Sequence, residues 1–221
     1  IVIPPDLAPA YEPKPLYIAE NFQANDSKRA IGPAVSRAAA GLPEDRFVFC
    51  CFSNHYKITQ EMFAAWMTIL QRSDNAVVWL VSDSEPARRN MLQCAAEHGI
   101  DAARMLFAPR VGPNEYLARL GLADAFLDTF PYNAGTIASD AIRMGLPLVT
   151  LSGQSFASRM AGRLLAAIGA HEGIAGSVQQ YIDIAVRLAT DRHADADYKQ
   201  RFSADAWHSE IGNIAKFTAS Y

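Results

Sequence analysis

The feature that most constrains this chain is a regular alternation between short apolar runs and segments of helical periodicity. The runs are apolar almost throughout, which is typical of strands buried on both faces of a sheet. Such alternation predicts an α/β fold, a Rossmann-like parallel sheet with helices on both faces. The five predicted strands are 46–53, 76–81, 104–109, 124–129 and 146–151.

Helices are predicted between these strands and after the last one. Thr59 has the side chain of an N-cap, and Gly99 and Gly169 are placed to end helices. The predicted helices are 60–70, 85–98, 114–120, 136–144, 156–168, 178–190 and roughly the last twenty residues.

Residues 1–45 differ from the rest of the chain. Five prolines fall in the first 26 residues and no period is sustained, so an extended connector is predicted there. We therefore divide the chain into this connector (1–45), a lobe that carries the strand ends (46–192) and a C-terminal helical segment (193–221).

Charge and cysteine usage exclude several classes of protein. The formal charge is −3 without a lysine or arginine run, which argues against nucleic-acid and membrane partners. Cys50, Cys51 and Cys94 lack disulfide or metal spacing, and the first two lie in an apolar run, so they are predicted to be buried free thiols. A reducing, cytoplasmic compartment is expected.

In a parallel sheet the carboxyl ends of the strands meet at one edge, and ligands bind beyond that edge. The segments that follow the first four strands therefore share a rim, which has the outline of a nucleotide cleft. These segments are 53–57, 82–85, 109–113 and 129–136.

The segment before the fourth helix is the strongest candidate for an anion site. Asn133 and Gly135 leave the backbone accessible, and Thr136 is expected to cap a helix whose free N–H groups face a phosphate. Asp140, one turn later, is within reach of a sugar hydroxyl. An ordinary strand–turn–helix connection explains the same residues, since no glycine-rich phosphate fingerprint is present.

Three further side chains on this rim are candidates for ligand binding. Lys57 follows the first strand and can neutralise a diphosphate as a point charge, although a solvated loop lysine is the alternative. Tyr116 and Arg119, at i, i+3 spacing, can hold a flat base by stacking and hydrogen bonding. Without other context, both are surface residues of an ordinary helix.

The aspartates and histidines show no metal-binding pattern. Asp195 and Asp197 form a D-x-D sequence, but in a polar stretch typical of a solvated helix face. The five histidines have no ligand spacing.

Four stretches, in order, resemble the catalytic region of the O-linked N-acetylglucosamine transferase and SPINDLY-like family. The similarity begins at the stretch PLYIAENFQAND and covers nearly the whole chain. The family comprises inverting glycosyltransferases with two facing Rossmann-like lobes, the GT-B arrangement, usually behind tetratricopeptide repeats. The four stretches are FVFCCFSNHYKIT, VVWLV, LADAFLDTFPYNAGTIASDAIRMGLPLVTLSG and SFASRMAGRLL.

The resemblance implies roles for individual residues. Lys57 matches the lysine that meets the donor diphosphate and so takes the catalytic role, and Asn54 matches a polar donor-site position. Thr136 matches a threonine on the phosphates, and Asp140 matches the acid that holds the ribose. Arg119 matches a basic residue near the uracil.

Three positions depart from the family pattern. Tyr116 stands where the O-GlcNAc enzymes have a histidine stacked on the base, which keeps an aromatic face. Gly135 replaces a histidine and Ile137 replaces a threonine beside the diphosphate, so two hydrogen-bond donors are lost.

The resemblance implies the second, C-terminal lobe of such an enzyme, the lobe that binds the nucleotide sugar. We expect an inverting, metal-independent protein O-glycosyltransferase that transfers N-acetylglucosamine from UDP-GlcNAc to Ser or Thr. The alternatives are a GDP-fucose-dependent protein O-fucosyltransferase lobe and a non-catalytic nucleotide-binding or partner module. The expected partners are a nucleotide sugar, a protein acceptor, and an N-terminal lobe with tetratricopeptide repeats in a longer chain; no cofactor is expected.

Overall fold

The computed structural model describes residues 2–18 and 21–220, and at its centre is a six-stranded sheet in the order β3–β2–β1–β4–β5–β6. Every neighbouring pair of strands is parallel. The strands are β1 (Phe47–Cys51), β2 (Ala76–Val81), β3 (Met105–Ala108), β4 (Ala125–Leu127), β5 (Leu148–Leu151) and β6 (Ile174–Ala175).

The five predicted strands are confirmed, and a sixth was missed. β1 and β4, at the centre of the sheet, are buried nearly throughout, as their continuous apolar runs require. β6 has only two residues between two glycines, so it offers no apolar run or alternation to detect.

The helices form two layers. α1 packs against α6, and α3, α4 and α5 are consecutive neighbours. Right-handed crossovers place the two sets on opposite faces, because the strand order reverses after β3. The helices are α1 (Gln60–Gln71), α2 (Glu85–Glu97), α3 (Pro113–Leu120), α4 (Thr136–Arg143), α5 (Met160–Ala167), α6 (Val178–Thr190), α7 (Arg192–Lys199), α8 (Ala204–Ala206), which continues as a π-helix over Trp207–Ile211, and α9 (Ile214–Ser220).

Two kinds of predicted helix boundary are confirmed. The Thr59 hydroxyl accepts the Met62 N–H, which caps α1. Gly99 and Gly169 follow α2 and α5 with φ of 72° and 73°, in the left-handed region that glycine adopts without a Cβ clash.

The predicted helix 156–168 is wrong at its start, because α5 begins at Met160. Local side-chain bonds hold the preceding residues in turns. The Ser155 hydroxyl accepts from the Ser158 N–H, and the Arg159 guanidinium donates to the Gly153 carbonyl. These bonds compete with the helical pattern over residues 153–159.

Both ends of the chain pack on the sheet layers. Within the described part of the connector there is no strand or α-helix, as an extended segment predicts. Asn25 accepts a hydrogen bond from Ser139 of α4, and the Tyr198 hydroxyl of α7 donates to the Leu148 carbonyl of β5. The divisions at residues 45 and 192 stay predictions. Across residues 2–18 and 21–220, no helix has the length and apolarity to cross a membrane.

Gly173 lies where α7 meets β5, and we predict that Gly173→Ala destabilises the protein. A Cβ there would overlap the Tyr198 hydroxyl and lie 2.5 Å from the Leu148 carbonyl oxygen. Overpacking of this kind costs about 1–3 kcal/mol of unfolding free energy. Loss of the hydrogen bond from the Tyr198 hydroxyl to the Leu148 carbonyl adds to this cost. Urea denaturation measures the loss.

Gly121→Ala is the matched control for this experiment. The added Cβ would lie 3.5 Å from the Ala118 oxygen, and the φ of −68° suits alanine. We expect the free energy of unfolding to stay within about 1 kcal/mol of wild type or to rise. Equal stability of the two variants would show that the Gly173 contact imposes no strain.

Candidate functional site

The loop between β4 and α4 is organised by a buried carboxylate, Asp128. Its Oδ1 accepts the N–H groups of Thr129 and Ala134 at 2.8 and 2.7 Å, and its Oδ2 accepts the Thr150 hydroxyl at 2.7 Å. The Asn133 amide adds bonds to two backbone carbonyls, at Thr129 and Leu151. The loop is therefore held by hydrogen bonds from the protein's own side chains.

Asn133 and Asp128 show what was and was not visible in the sequence. Asn133 was predicted to bind the donor, but its side chain is fully buried inside the loop, so only its carbonyl faces the rim. Asp128 was not singled out, because an acid after an apolar run reads as the end of a strand. The three-dimensional structure reveals that Asp128 is fully buried, which is rare for an acid and indicates a structural role.

Lys57 lies against this loop. Its Nζ is 3.3 Å from the Asn133 carbonyl oxygen and 3.6 Å from the centroid of the Tyr132 ring. An ammonium group carries three donors, so one bond to a carbonyl leaves others for an anion. The predicted proximity of Lys57 and the loop before α4 is therefore a feature of the structure.

The start of α4 differs from the expectation in one detail. Gly135, not Thr136, is the N-cap, and no side chain caps the helix. Thr136 is the first helical residue, is exposed and lines the cleft, and the first N–H groups of α4 have no partner within the helix. The prediction that Thr136 caps α4 is therefore wrong, while the prediction that the helix begins at Thr136 is confirmed.

A cleft of about 380 Å³ lies beyond the strand ends. It brings together four of the predicted site residues: Tyr116 and Arg119 from α3, and Thr136 and Asp140 from α4. The full lining is Phe52, Val81, Pro109, Arg110, Val111, Pro113, Tyr116, Arg119, Thr136, Ile137 and Asp140.

The α3 wall of the cleft is preorganised. The Arg119 guanidinium donates to the Pro109 carbonyl and to Glu115, both at 2.9 Å. The Tyr116 ring packs 6.2 Å from the Phe52 ring, and burial raises the pKa of Tyr116 well above its usual value. The wall is thus an apolar, aromatic surface with one fixed cation.

Asn54 lies at the edge of the cleft rather than in its lining. Its Oδ1 accepts a hydrogen bond from the Arg110 guanidinium, which also pairs with Asp83 at 3.0 Å. These three residues follow β1, β3 and β2, so they tie the ends of three strands together. Arg110 was missed in the sequence because a lone loop arginine carries no pattern.

Asp140 has a partner that the sequence did not indicate. Its Oδ1 accepts a hydrogen bond from Arg29 of the connector. Burial raises the pKa of Asp140, and the Arg29 charge and hydrogen bond act in the opposite direction. The two residues are 111 positions apart, so no local pattern connects them.

The D-x-D aspartate Asp195 and the two cysteines of β1 contribute to the structure. Asp195 bonds Lys199 within α7 at 2.8 Å. Cys50 and Cys51 are buried free thiols, as predicted, and burial raises the pKa of Cys51 to about 12. In the described ranges, no group of three or more His, Cys, Asp or Glu side chains has the arrangement to hold a metal ion.

The fold and the cleft define a class: a doubly wound α/β domain with a ligand cleft at the carboxyl ends of its strands. The chain belongs to glycosyl transferase family 41, whose sequence profile matches residues 20–221. The family and the enzyme class predicted from the sequence motifs, glycosyltransferase, are therefore confirmed.

Its relatives include two named peptide N-acetylglucosaminyltransferases. The UDP-N-acetylglucosamine–peptide N-acetylglucosaminyltransferase of Caenorhabditis elegans is 36% identical over 172 residues, 78% of this chain and 15% of that protein. The probable enzyme SEC of Arabidopsis thaliana is 31% identical over 198 residues, 86% of this chain and 20% of that protein. The chain thus spans 15–20% of the length of these relatives.

Solved structures confirm the fold. A mutant of Thermobaculum terrenum O-GlcNAc transferase matches with a TM-score of 0.82 and 23% identity, over 100% of this chain and 42% of that one. The glycosyltransferase WaaG matches with a TM-score of 0.61 and 18% identity, over 83% of this chain and 48% of that one. The chain has the Rossmann-like lobe of GT-B glycosyltransferases.

We predict that Asp128 makes the protein less stable as the pH rises from about 4 to 7. Burial raises the pKa of Asp128 to about 7, although hydrogen bonds from Thr150, Ala134 and Thr129 lower it. Between the unfolded and folded pKa values the native state binds more protons than the unfolded state, so the free energy of unfolding falls as pH rises. The decrease is up to about 4 kcal/mol, at 1.36 kcal/mol per pKa unit.

Asp128→Asn is the variant that isolates this effect, because its amide oxygen can still accept the two loop N–H groups. Urea denaturation from pH 4 to 8 gives the unfolding free energy of wild type and of Asp128→Asn. The contributions of the titrating groups that both proteins share cancel in the difference between the two. We expect the stability of wild type relative to the variant to fall across this range and level off above pH 7. A difference that does not vary with pH would contradict the assignment.

Proposed function

We propose that this chain is the donor-binding lobe of an inverting, metal-independent protein O-glycosyltransferase that transfers N-acetylglucosamine from UDP-GlcNAc to Ser or Thr. The observation that carries the proposal is the position of Lys57, whose ammonium lies 3.3 Å from the Asn133 carbonyl, in the loop that leads into α4. We place both at the mouth of the cleft, because Thr136 lines the cleft and Lys57 contacts the loop that precedes Thr136.

The diphosphate of the donor is assigned to this mouth. The Lys57 ammonium gives a charge-assisted hydrogen bond, and the first N–H groups of α4 add the positive end of the helix dipole. Thr136 offers a hydroxyl at the same place. As the glycosidic bond breaks, charge grows on the leaving diphosphate, and these fixed groups stabilise it. Lys57 therefore has the catalytic role, and no metal is required for it.

The nucleoside is assigned to the cleft itself. Its volume of about 380 Å³ is within the usual range for small-ligand pockets, roughly 300–1,000 Å³. The Tyr116 ring suits the face of a base, and the fixed Arg119 guanidinium suits its carbonyl edge. Asp140 is a hydrogen-bond acceptor for ribose hydroxyls. The names of the relatives support uridine and N-acetylglucosamine as the donor.

The acceptor protein and the remaining catalytic groups are assigned to another lobe. Transfer requires donor and acceptor to be fixed in one geometry. The described residues supply a donor cleft, while this chain spans 15–20% of the length of its relatives. We therefore place this lobe in a longer polypeptide with an N-terminal catalytic lobe and tetratricopeptide repeats.

Calorimetry with UDP, UDP-GlcNAc and GDP tests the proposal. Binding of UDP and UDP-GlcNAc, unchanged by EDTA, is the expected result. Preferential binding of GDP would favour a fucosyl-type donor site, and binding that requires Mn²⁺ would contradict metal independence. No nucleotide binding at all would leave a partner-binding module as the function.

We predict that Lys57→Ala weakens UDP binding by about 1.5–3 kcal/mol, the value of a hydrogen bond to a charged group. Calorimetry with UDP and with uridine makes the test specific. The loss should be large for UDP and small for uridine, which has no diphosphate. Lys14→Ala is the matched control, because Lys14 is an exposed lysine bonded to the Pro9 carbonyl. An equal affinity of Lys57→Ala and wild type for UDP would remove Lys57 from the site.

We predict that the purified chain binds donor but transfers no sugar by itself. Radiolabelled UDP-GlcNAc and a cell lysate, incubated with the chain, should leave protein unlabelled. Adding the upstream part of the polypeptide, expressed separately, should restore labelling. The control mixture contains the upstream part and the Lys57→Ala chain. Label transferred by the 221-residue chain alone would overturn the assignment of acceptor groups to another lobe.

A further inference from the structure

Arg29 brings the connector to the wall of the donor cleft. Its Nη2 donates to Oδ1 of Asp140, which lines the cleft from α4. The side chains of Arg29 and Asp140 are 27% and 8% exposed, so this ion pair is largely shielded from water. Ion pairs shielded in this way are less screened by salt than surface pairs.

The backbone around Arg29 is held by both helices that wall the cleft. The Arg143 guanidinium of α4 donates to the Arg29 carbonyl at 2.7 Å. The Gly32 N–H donates to the Asn114 carbonyl of α3 at 2.9 Å. A Cβ on Gly32 would lie 2.9 Å from that same oxygen, so the connector is pressed directly against α3. Arg29 is therefore seated between α3 and α4, not attached by its side chain alone.

Two buried donors beside this ion pair lack partners. Within the described ranges, Arg29 Nε and the Tyr116 hydroxyl have no hydrogen-bond partner. Asp140 Oδ2 accepts no hydrogen bond from a described residue, since Arg29 bonds Oδ1, and it is not among the fully buried atoms that lack partners. Buried polar groups are nearly always paired, so unpaired ones beside this cleft-lining carboxylate suit a polar ligand at the wall.

We propose that Arg29 is a positioning residue of the donor site, which orients the Asp140 carboxylate and keeps it ionised to bind the two hydroxyls of the nucleotide's ribose. The inference rests on the proposed function and adds to it a residue from outside the α/β lobe. Arg29 bonds Oδ1, and Oδ2 accepts from the ribose. Loss of the guanidinium would free the carboxylate to rotate and would favour its neutral form, a weaker acceptor.

The groups that face Asp140 set its charge. Burial raises the pKa of Asp140, while the Arg29 guanidinium and, further away, the Arg143 guanidinium lower it. The Tyr116 hydroxyl, on α3, is close enough to Asp140 that the carboxylate raises the pKa of the tyrosine. Removal of Arg29 would therefore leave Arg143 as the cation that opposes protonation of Asp140.

The test is the preference of the protein for UDP over 2′,3′-dideoxy-UDP, measured by calorimetry. Wild type should bind UDP at least about tenfold more tightly, since hydrogen bonds from hydroxyls to a carboxylate are lost in the analogue. Arg29→Ala should reduce this preference to about threefold or less while leaving dideoxy-UDP affinity near wild type. Arg29→Lys, which keeps the charge, should restore part of it, and Asp140→Asn should lack it.

Lys28→Ala is the matched control, because Lys28 is the exposed neighbour of Arg29 in the connector. It should keep the full preference. Thermal unfolding of each variant shows whether it is folded, and Arg29→Lys provides the test if Arg29→Ala is not. A general loosening of the fold would weaken UDP and dideoxy-UDP equally, which would overturn a positioning role.

Two other outcomes separate this inference from the proposed function. If Arg29→Ala prefers UDP over dideoxy-UDP as strongly as wild type, or binds UDP more tightly than wild type, the inference is overturned and the donor site stays in place. The tighter binding would mean that Arg29 competes with the ribose for Asp140. A wild-type protein that binds neither nucleotide would overturn the proposed function, and this inference with it.

Discussion

The candidate site depends on one buried carboxylate at the centre of the sheet. Asp128 uses its side chain to hold the loop after β4 and to bind Thr150 of β5. Its carbonyl accepts the Tyr181 hydroxyl of α6, which in turn accepts the Trp66 indole N–H of α1. One residue thus connects two strands and two helices to the loop that faces Lys57. A buried carboxylate is costly, and its three hydrogen bonds offset part of that cost while they hold the loop.

The sequence predicted the sheet because a parallel α/β fold repeats the same signal in every unit. It also predicted that Lys57 would approach the loop before α4, since strand ends converge at one edge whatever the details of packing. Two kinds of feature were beyond it. Asp128 acts through burial, which a strand-end acid does not reveal, and Arg29 acts across 111 residues of chain. The N-cap of α4 was predicted one position too late, at Thr136 instead of Gly135, which is the usual precision of a helix boundary.

Two of the three departures from the family pattern, Gly135 and Ile137, lie at the start of α4, where the structure shows their surroundings. A Cβ on Gly135 would meet Gln23 Oε1 at 3.4 Å and Met160 Sδ at 3.5 Å, both ordinary contacts. The atoms nearest to the space beside Gly135 therefore belong to a connector amide and a thioether. Ile137, half-buried at the cleft, adds apolar surface where the family has a hydroxyl. At the proposed diphosphate position, positive charge thus comes mainly from Lys57 and the helix start.

The connector is part of the wall structure of the cleft. α3 supplies the aromatic wall of the cleft and α4 supplies the helix start, and the connector is bonded to both through Gly32 and Arg29. The Arg29 side chain bonds Asp140, so the groups that hold the connector on α3 and α4 also hold the partner of this cleft-lining carboxylate. A ligand that binds this carboxylate in its paired orientation must stabilise the seated connector by the same free energy, since linkage between two equilibria is reciprocal. The proposed donor affinity of the cleft therefore depends on the lobe and the connector together.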